Sequence, residues 1–107
     1  MANNYKNAKA DLTATSVTTV YTAPAATTSI VKSILVSEDS GSADTITLTI
    51  TDTDAAVFSL FKVKAVAANT TVELLTAPLN VEESEILKFT AATANRLHVV
   101  VSVLEMS

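Results

Sequence analysis

Apolar and polar side chains alternate with a period of two along much of the chain. In "DTITLTITD" (44–52), every second residue from Ile46 to Ile50 is apolar, and threonines occupy the positions between them. Successive side chains of a strand point to opposite faces, so this pattern predicts a strand with one buried and one solvated face. The chain holds 17 Thr and 13 Val, and such β-branched residues favour extended backbone.

A second alternating segment lies near the end of the sequence. In "NRLHVVVSVLE" (95–105), Leu97 and every second residue as far as Val103 share one face. The other face, which begins at His98, is also partly apolar. A strand that is apolar on both faces has neighbours on both sides, so this segment predicts a central strand or one covered by another element.

Six more segments combine β-branched residues with turn signals at their ends. The only glycine, Gly41, lies in "EDSGSAD" and indicates a hairpin loop, while "DTDAA" (52–56) indicates a turn in which aspartates bond their own backbone. Pro24 and Pro78 close the strands before them. Strands at this spacing predict an all-β fold, an antiparallel β-sandwich or jelly-roll-like barrel of about seven or eight strands. The six segments are 14–22, 29–37, 57–66, 71–75, 79–81 and 85–91.

The first twelve residues, "MANNYKNAKADL", are polar and show no core-forming pattern. They are expected to form an N-terminal arm at 1–12, flexible or ordered on a neighbouring subunit, ahead of a single β-sandwich domain at 13–107. Deletion of residues 1–9 of such an arm is expected to leave the melting behaviour nearly unchanged. The arm lacks the apolar run of a signal peptide, and no apolar stretch has the length of a membrane helix, which predicts a protein that does not enter membranes.

Composition points to association. The chain of 107 residues is 49% hydrophobic and only 17% charged, with a mean hydropathy of +0.39. A domain of this size cannot bury that much apolar surface by itself, and segments 29–37 and 57–66 are apolar on both faces, so part of the surface is expected to meet another subunit. A net charge of −4 argues against nucleic-acid binding, and the absence of cysteine excludes disulfides and thiolate metal sites.

Candidate chemistry is sparse. His98 is the single histidine and has no partner in the pattern to orient it, so it is interpreted as a structural or surface residue. One glycine is too few for a nucleophile elbow or a phosphate loop. Lys62 and Lys64 are interpreted as one solvated strand face, and "NTT" at Asn69 as a chance match to a glycosylation acceptor.

The acidic residues are likewise interpreted as solvated turn residues, because calcium loops add a glycine and a bidentate Glu that are missing here. This applies to four aspartates and to the charged turn "EESE" (82–85). No catalytic, cofactor-binding or metal-binding residue is therefore predicted, and the chain is not expected to be an enzyme. The four aspartates are Asp39, Asp44, Asp52 and Asp54.

The order of turns and strands resembles a known family. The chain has Tyr-Thr-x-Pro at 21–24, a strand carrying Lys-Ser at 32–33, an alternating strand, a Thr-Thr turn at 70–71 and a closing strand of alternating valines. Over 18–105 this pattern resembles a small β-sandwich family of virion structural proteins of tailed bacteriophages, especially aquatic phages. Relatives often have glycine in two turns where this chain has Ala26 and "EES" (82–84), so those turns are expected to be wider here.

The resemblance implies a non-enzymatic virion structural protein, assembled in the host cytoplasm and without cofactors. The first hypothesis is a capsid decoration or cement protein, a homotrimer or homodimer that binds the major capsid protein or other virion proteins and braces the head. The alternative is a tail, neck, baseplate or fibre-tip component. A soluble carbohydrate-binding module is the alternative from another class, although the chain has no Trp to serve as a sugar platform.

Overall fold

The computed structural model describes residues 3–106, which form nine β-strands in two antiparallel sheets. The all-β, sandwich-like class is thus confirmed, with nine strands instead of seven or eight. No helix within 3–106 has the length and hydrophobicity to cross a bilayer. The strands are β1 (Asn3–Leu12), β2 (Thr18–Thr22), β3 (Thr28–Glu38), β4 (Asp44–Thr51), β5 (Val57–Val66), β6 (Thr71–Glu73), β7 (Leu79–Val81), β8 (Ile86–Ala91) and β9 (Leu97–Met106).

The two sheets differ in their edges. Sheet A has the order β1-β9-β3-β6, and the short strand β7 also pairs with β3. Sheet B has the order β2-β8-β4-β5. Because β1 contacts β2 and β3 contacts β5, the β5 edge of sheet B lies on the same side as β6 and β7. The apolar core lies between the sheets.

The closing strand β9 is central in sheet A, between β1 and β3, as its two-faced pattern predicts. Leu97 and the alternating valines up to Val103 are buried, and Glu105 continues the same buried row. The opposite row, from His98 to Met106, is half-buried on the outer face. This alternation was readable from the sequence because every position in the row keeps its phase.

Strand β3 contains a β-bulge between Val31 and Ser33, where its register against β9 shifts. Ser29 and Val31 are buried before the bulge, and Ile34 begins a second buried row after it. The segment looks apolar on both faces partly because the bulge moves the buried row from odd-numbered to even-numbered positions. Glu73 stabilises the bulge, because its carboxylate accepts hydrogen bonds from the Ser33 hydroxyl and from the backbone N–H of Ile34 at 2.7 Å.

The arm expected at 1–12 is not seen in its described part. Residues 3–12 are β1, an edge strand that pairs with β9 over its whole length, so the boundary expected after residue 12 falls inside the sandwich. The first five residues of β1 are exposed on both faces and so carry no alternation. Only Ala8, Ala10 and Leu12 alternate towards the core, too few to predict a strand.

Side-chain bonds also fasten β1. Glu105 on β9 is only 6% exposed, and its Oε1 lies 2.9 Å from the Lys6 ammonium of β1. Its Oε2 accepts a 2.6 Å hydrogen bond from the hydroxyl of Tyr21, which lies 2.6 Å from the Ser29 hydroxyl. The Tyr21 hydrogen bond lowers the pKa of Glu105 despite burial. Burial and the Glu105 carboxylate raise the pKa of Tyr21 to about 12.

Several turns hold non-glycine residues in the left-handed region. Ala26 has φ 56° in the turn before β3, and Ser84 has φ 66° in the turn before β8. Both turns are tied together, because the Ala26 N–H donates to Glu83 at 2.6 Å and the Ser84 N–H to the Ala23 carbonyl at 2.8 Å. The left-handed conformation costs a residue with a Cβ about 1–2 kcal/mol. Both turns adopt it despite this cost.

Replacing Lys6 by methionine should lower the free energy of unfolding by about 1 kcal/mol, because the buried Glu105 carboxylate loses one of its partners. Lys9→Met is the matched control, since the Lys9 ammonium donates a 3.3 Å hydrogen bond to the exposed Asn7 side chain and not to a buried group. Urea denaturation of both variants measures the difference. Deletion of residues 1–9 should lower the melting temperature further, and an unchanged melting temperature would contradict β1 as part of the fold.

The substitution Ala26→Gly should raise the free energy of unfolding by about 0.5–1 kcal/mol, because glycine adopts the left-handed conformation without a Cβ penalty. The neighbouring Ala25 has no positive φ and is equally exposed, so Ala25→Gly should leave stability equal or lower. Thermal and urea unfolding of the pair test this. Equal effects at both positions would show that left-handed strain is not relieved.

Candidate interaction surface

Strand β5 carries four exposed apolar side chains, which together are called the β5 patch: Val57, Phe58, Leu60 and Val63. They are 60%, 55%, 37% and 60% exposed. All four belong to the edge strand of sheet B, and Val57 and Phe58, as successive residues of a strand, point to opposite faces of the sheet. The strand is held to the rest of the domain by Phe61, which packs against the core, and by the fully buried Val66.

Two β-bulges interrupt the pairing of β5 with β4. The register shifts once around Leu60 and once between Phe61 and Lys64, and each shift adds one residue to β5. Val63 lies in the second bulge with φ 54°, an uncommon conformation for a β-branched residue, and its N–H donates to the Thr47 hydroxyl at 3.0 Å. Bulges twist an edge strand and break its ladder, so β5 offers side chains for contact better than it offers backbone.

Phe58 lies on the core-facing side of sheet B and is nevertheless exposed. It is directly opposite Ile50, and cross-strand partners share a face. Ile46 and Leu48, in the same row of β4, are completely buried. On the side of β5, sheet A ends in two strands of three residues each, β6 and β7, whereas β5 has ten. Sheet A therefore does not cover the Phe58 ring, although the ring lies on the inner face of sheet B.

An apolar groove of about 670 Å³ borders the opposite end of β5. Its walls include Ala65, Val66 and Ala67 from the end of β5, with Val72 on β6 and Ala92 after β8. The walls are mostly alanine and valine, and the polar lining residues are Asp44, Thr45 and Thr70. The groove is therefore mainly apolar.

Charge is distributed unevenly along β5. The turn before it contains Asp52 and the exposed Asp54, and the second half of the strand carries the exposed Lys62 and Lys64. The predicted exposure of the two lysines is confirmed. Asp52 has a structural role as well, because its Oδ1 accepts hydrogen bonds from the backbone N–H groups of Asp54 and Ala56, each at 2.9 Å, as the sequence predicts for this turn.

His98 lies between two carboxylates on the outer face of sheet A. Its Nε2 is 3.2 Å from Asp11 on β1, and its Nδ1 is 3.6 Å from Asp39 after β3. Ser37 is its cross-strand partner on β3, but both imidazole nitrogens already face aspartates. No nitrogen is left to activate the serine hydroxyl, and all the side chains lie on a solvated face, so the arrangement is not a catalytic triad.

The interpretation of the aspartates as solvated turn residues is wrong for Asp44. Its side chain is buried, and its Oδ2 accepts a 3.0 Å hydrogen bond from the Thr93 N–H. In the charged turn, Glu82 and Glu83 are exposed as expected, while Glu85 is half-buried. Within residues 3–106, no group of three or more His, Asp or Glu side chains is arranged to hold a metal ion.

Glu38, at the end of β3, joins two loops at one end of the sandwich. One carboxylate oxygen accepts hydrogen bonds from the N–H groups of Gly41 and Asn69, both at 3.1 Å. The other accepts from the N–H and hydroxyl of Ser40. The Ser40 hydroxyl bond and these backbone N–H groups lower the pKa of Glu38 to about 2.

Glu38 and Glu105 were not predicted as buried residues, although the sequence contains a signal for them. Each acid falls on the buried parity of its strand, two positions after a buried valine: Val36 on β3 and Val103 on β9. An acidic residue that continues an apolar row predicts a buried carboxylate with hydrogen-bond donors around it. The oxygens of both carboxylates already accept hydrogen bonds from groups of the protein itself. Both residues therefore have a structural role.

Glu38→Gln should lower the free energy of unfolding at pH 7. It should also make that free energy depend less on pH in the acid range. The folded pKa of Glu38 lies below its usual value near 4.5, so its stabilisation is present above pH 4.5 and is lost as the pH falls towards 2. Urea unfolding at pH 7 and at pH 3 should show a smaller difference for the variant than for the parent. Glu82→Gln, on an exposed turn, is the control; parallel curves for parent and E38Q would refute the assignment.

Comparison with known proteins identifies no family for this chain. No protein-family model matches the chain, and no curated protein is significantly similar to it.

Proposed function

We propose that the chain is a non-enzymatic structural protein of a phage virion, a capsid decoration or cement protein that stabilises the head through subunit contacts. The observation that carries this proposal is the β5 patch. An inner-face aromatic residue and three further apolar side chains lie uncovered at one sheet edge, and their burial requires a second protein surface.

The rest of the domain fits a passive scaffold. Its buried carboxylates at Glu38 and Glu105 accept hydrogen bonds from donors of the same chain. The one imidazole is flanked by two aspartates on an open face. A protein of this kind works by burying surface on its neighbours, and many copies on one shell multiply a modest contact through avidity.

The resemblance to virion proteins suggests that the assembly is a phage particle. The proposed partners are the major capsid protein or other virion proteins, together with further copies of the chain. The tail, neck, baseplate or fibre-tip alternative uses the same apolar contacts in a smaller assembly. The carbohydrate-binding alternative uses the exposed aromatic rings, of which Tyr5 and Phe58 are the most accessible, and Tyr5 has the Lys32 ammonium 5.6 Å above its ring.

Counting copies in purified virions tests the proposal. A decoration protein should be present on the order of hundreds of copies per particle, in a fixed ratio to the major capsid protein, because its avidity depends on lining a repeated lattice. Quantitative mass spectrometry of intact virions, and of separated heads and tails, measures this ratio. A few to a few dozen copies in the tail fraction would instead support the tail alternative.

Two results would overturn a structural function altogether. The first is absence of the chain from washed particles. The second is specific binding of the isolated protein to a glycan array, lost in Phe58→Ser or Tyr5→Ser.

A further inference from the structure

We propose that two copies of the chain pair through the open edges of their β1 strands, antiparallel about a two-fold axis at Asn7, so that their A sheets join into one continuous sheet. The inference deepens the proposed structural function and rests on it for its biological setting. It names the partner of β1 as a second copy of this chain and leaves the β5 patch to other virion proteins.

The first argument is that β1 differs from the other edge strands within residues 3–106. It has ten residues, and it pairs with β9 without a register shift. On the opposite side of sheet A, β6 and β7 have three residues each. In sheet B, β2 has five residues and one register shift, and β5 has two register shifts. Short or bulged edges resist pairing with another chain, whereas a long regular edge can pair along its whole length.

The second argument is that the odd-numbered residues of β1 direct their backbone groups to the open edge. The Ile34 carbonyl of β3 accepts a 2.9 Å hydrogen bond from the Leu74 N–H, which follows β6, so Ile34 faces away from β9. Its cross-strand partner Val101 therefore faces β1, where it is opposite Ala8. Successive strand residues face alternate edges, so Asn7 and the other odd-numbered residues face outwards. Their N–H and C=O groups are those that a further strand uses.

The third argument is that charge and length select one register. Two copies of the same edge pair antiparallel about a two-fold axis, and outward-facing residues must be opposite each other, so one residue of β1 lies opposite its own equivalent. An axis at Lys6 or Lys9 would place two ammonium groups opposite each other, which is unfavourable. An axis at Ala8 would leave Asn3 without a partner in β1, and axes nearer the strand ends would shorten the ladder further. The axis at Asn7 remains.

With the axis at Asn7, each outward-facing residue of β1 has a partner and no like charges are opposite each other. Lys9 of one copy is opposite the neutral Tyr5 of the second copy, and Asp11 is opposite the neutral Asn3. The side chains of these residues are exposed in the single chain, so pairing displaces no other element of the fold. The edge is therefore complementary to itself.

The lysines of β1 leave the edge open, although edge lysines often prevent pairing. The Lys6 ammonium is 2.9 Å from Glu105 of β9, so it lies on the side away from the open edge. The Lys9 ammonium donates to the Asn7 side chain of the same strand at 3.3 Å, so it lies along β1. Neither ammonium is held across the edge.

The position of β1 gives the dimer a function in a shell. β1 contacts β2, whereas the β5 edge lies on the opposite side of the sandwich, with β6 and β7. Pairing through β1 therefore leaves both copies of the β5 patch uncovered, at the two outer ends of the dimer. The contact is closed, because each copy uses its single β1 edge. Such a dimer can bind two neighbouring subunits of a shell at once, and this bivalency strengthens each contact.

Sedimentation velocity and native mass spectrometry of the full chain over a range of concentrations test the dimer. Asn7→Pro removes the outward N–H at the axis but no hydrogen bond between β1 and β9, and proline is tolerated at an edge when its nitrogen faces solvent. It should raise the dimer dissociation constant by roughly tenfold or more, because the pair at the axis loses both backbone hydrogen bonds. Asn7→Thr keeps the N–H and should dimerise like the parent. Circular dichroism and a cooperative melt check that N7P is folded; a folded N7P that dimerises like N7T would overturn the pairing.

A charge exchange tests the position of the axis without changing the backbone. Asn7 is exposed, so Asn7→Lys and Asn7→Asp leave the single chain folded, but each places like charges opposite each other in its homodimer. In an equimolar mixture, native mass spectrometry should find the N7K–N7D heterodimer well above the half expected from random pairing. The same exchange at the exposed Ser59 of β5, with S59K and S59D, should give random pairing. Random pairing at Asn7, or enrichment at Ser59, would overturn the assignment to β1.

Amide hydrogen exchange followed by NMR tests the phase of the strand. In the dimer, the outward N–H groups of Tyr5, Asn7 and Lys9 should exchange more slowly than in the dilute monomer, because each gains a hydrogen bond. The N–H groups of Ala8 and Ala10 face β9 in both states and should change much less. A dimer that forms without slowing the three outward amides would refute pairing through β1.

The outcome separates this inference from the proposed function. A monomer at all concentrations, or a trimer, would refute the β1 dimer even if virions contain hundreds of copies. Slowing of the outward amides only when a capsid protein is added would also refute it, because the occupant of the edge would then be another chain. A dimer with the expected variant pattern would support the inference even if the chain proved absent from washed particles.

Discussion

Burial of apolar side chains between two sheets holds this sandwich together, and the sheets do not cover each other equally. Sheet B ends in a ten-residue strand, β5, on the side where sheet A ends in the three-residue strands β6 and β7. The inner row of sheet B is completely buried at Leu48 but leaves Phe58 accessible one strand further out. The exposure of Phe58 follows from this difference in width.

Carboxylates stabilise the loops and bulges of this domain, which has little glycine to relax them. Glu38 joins two loops, Glu73 satisfies the bulge of β3, and Glu105 connects β9 to both β1 and β2. In a chain with one glycine, several turns adopt left-handed backbone at Ala, Asn or Ser, and fixed acceptors help to hold such turns in place. The polar interior therefore stabilises the loops more than it prepares a site for chemistry.

The alternation of β4 and β9 was sufficient to predict those strands, because each keeps one phase from end to end. All eight predicted strands are present, and the ninth, β1, was missed because an edge strand exposed on both faces looks like a polar arm. The apolarity of 57–66 on both faces correctly indicated exposed hydrophobic surface. The bulges around Leu60 and Val63 were not predictable, since they depend on the register against β4, and neither was the groove, which joins residues distant in sequence.

Asn3 is the cross-strand partner of Met106, so the two ends of the described chain leave sheet A side by side. Antiparallel partners have Cα atoms about 4.5–5.5 Å apart, a gap that a linker of a few residues can close. Circular permutants with new ends in the loop around Gly41 are therefore geometrically accessible. A peptide fused at either end would therefore emerge at the same end of the sandwich, where β1 begins and β9 ends.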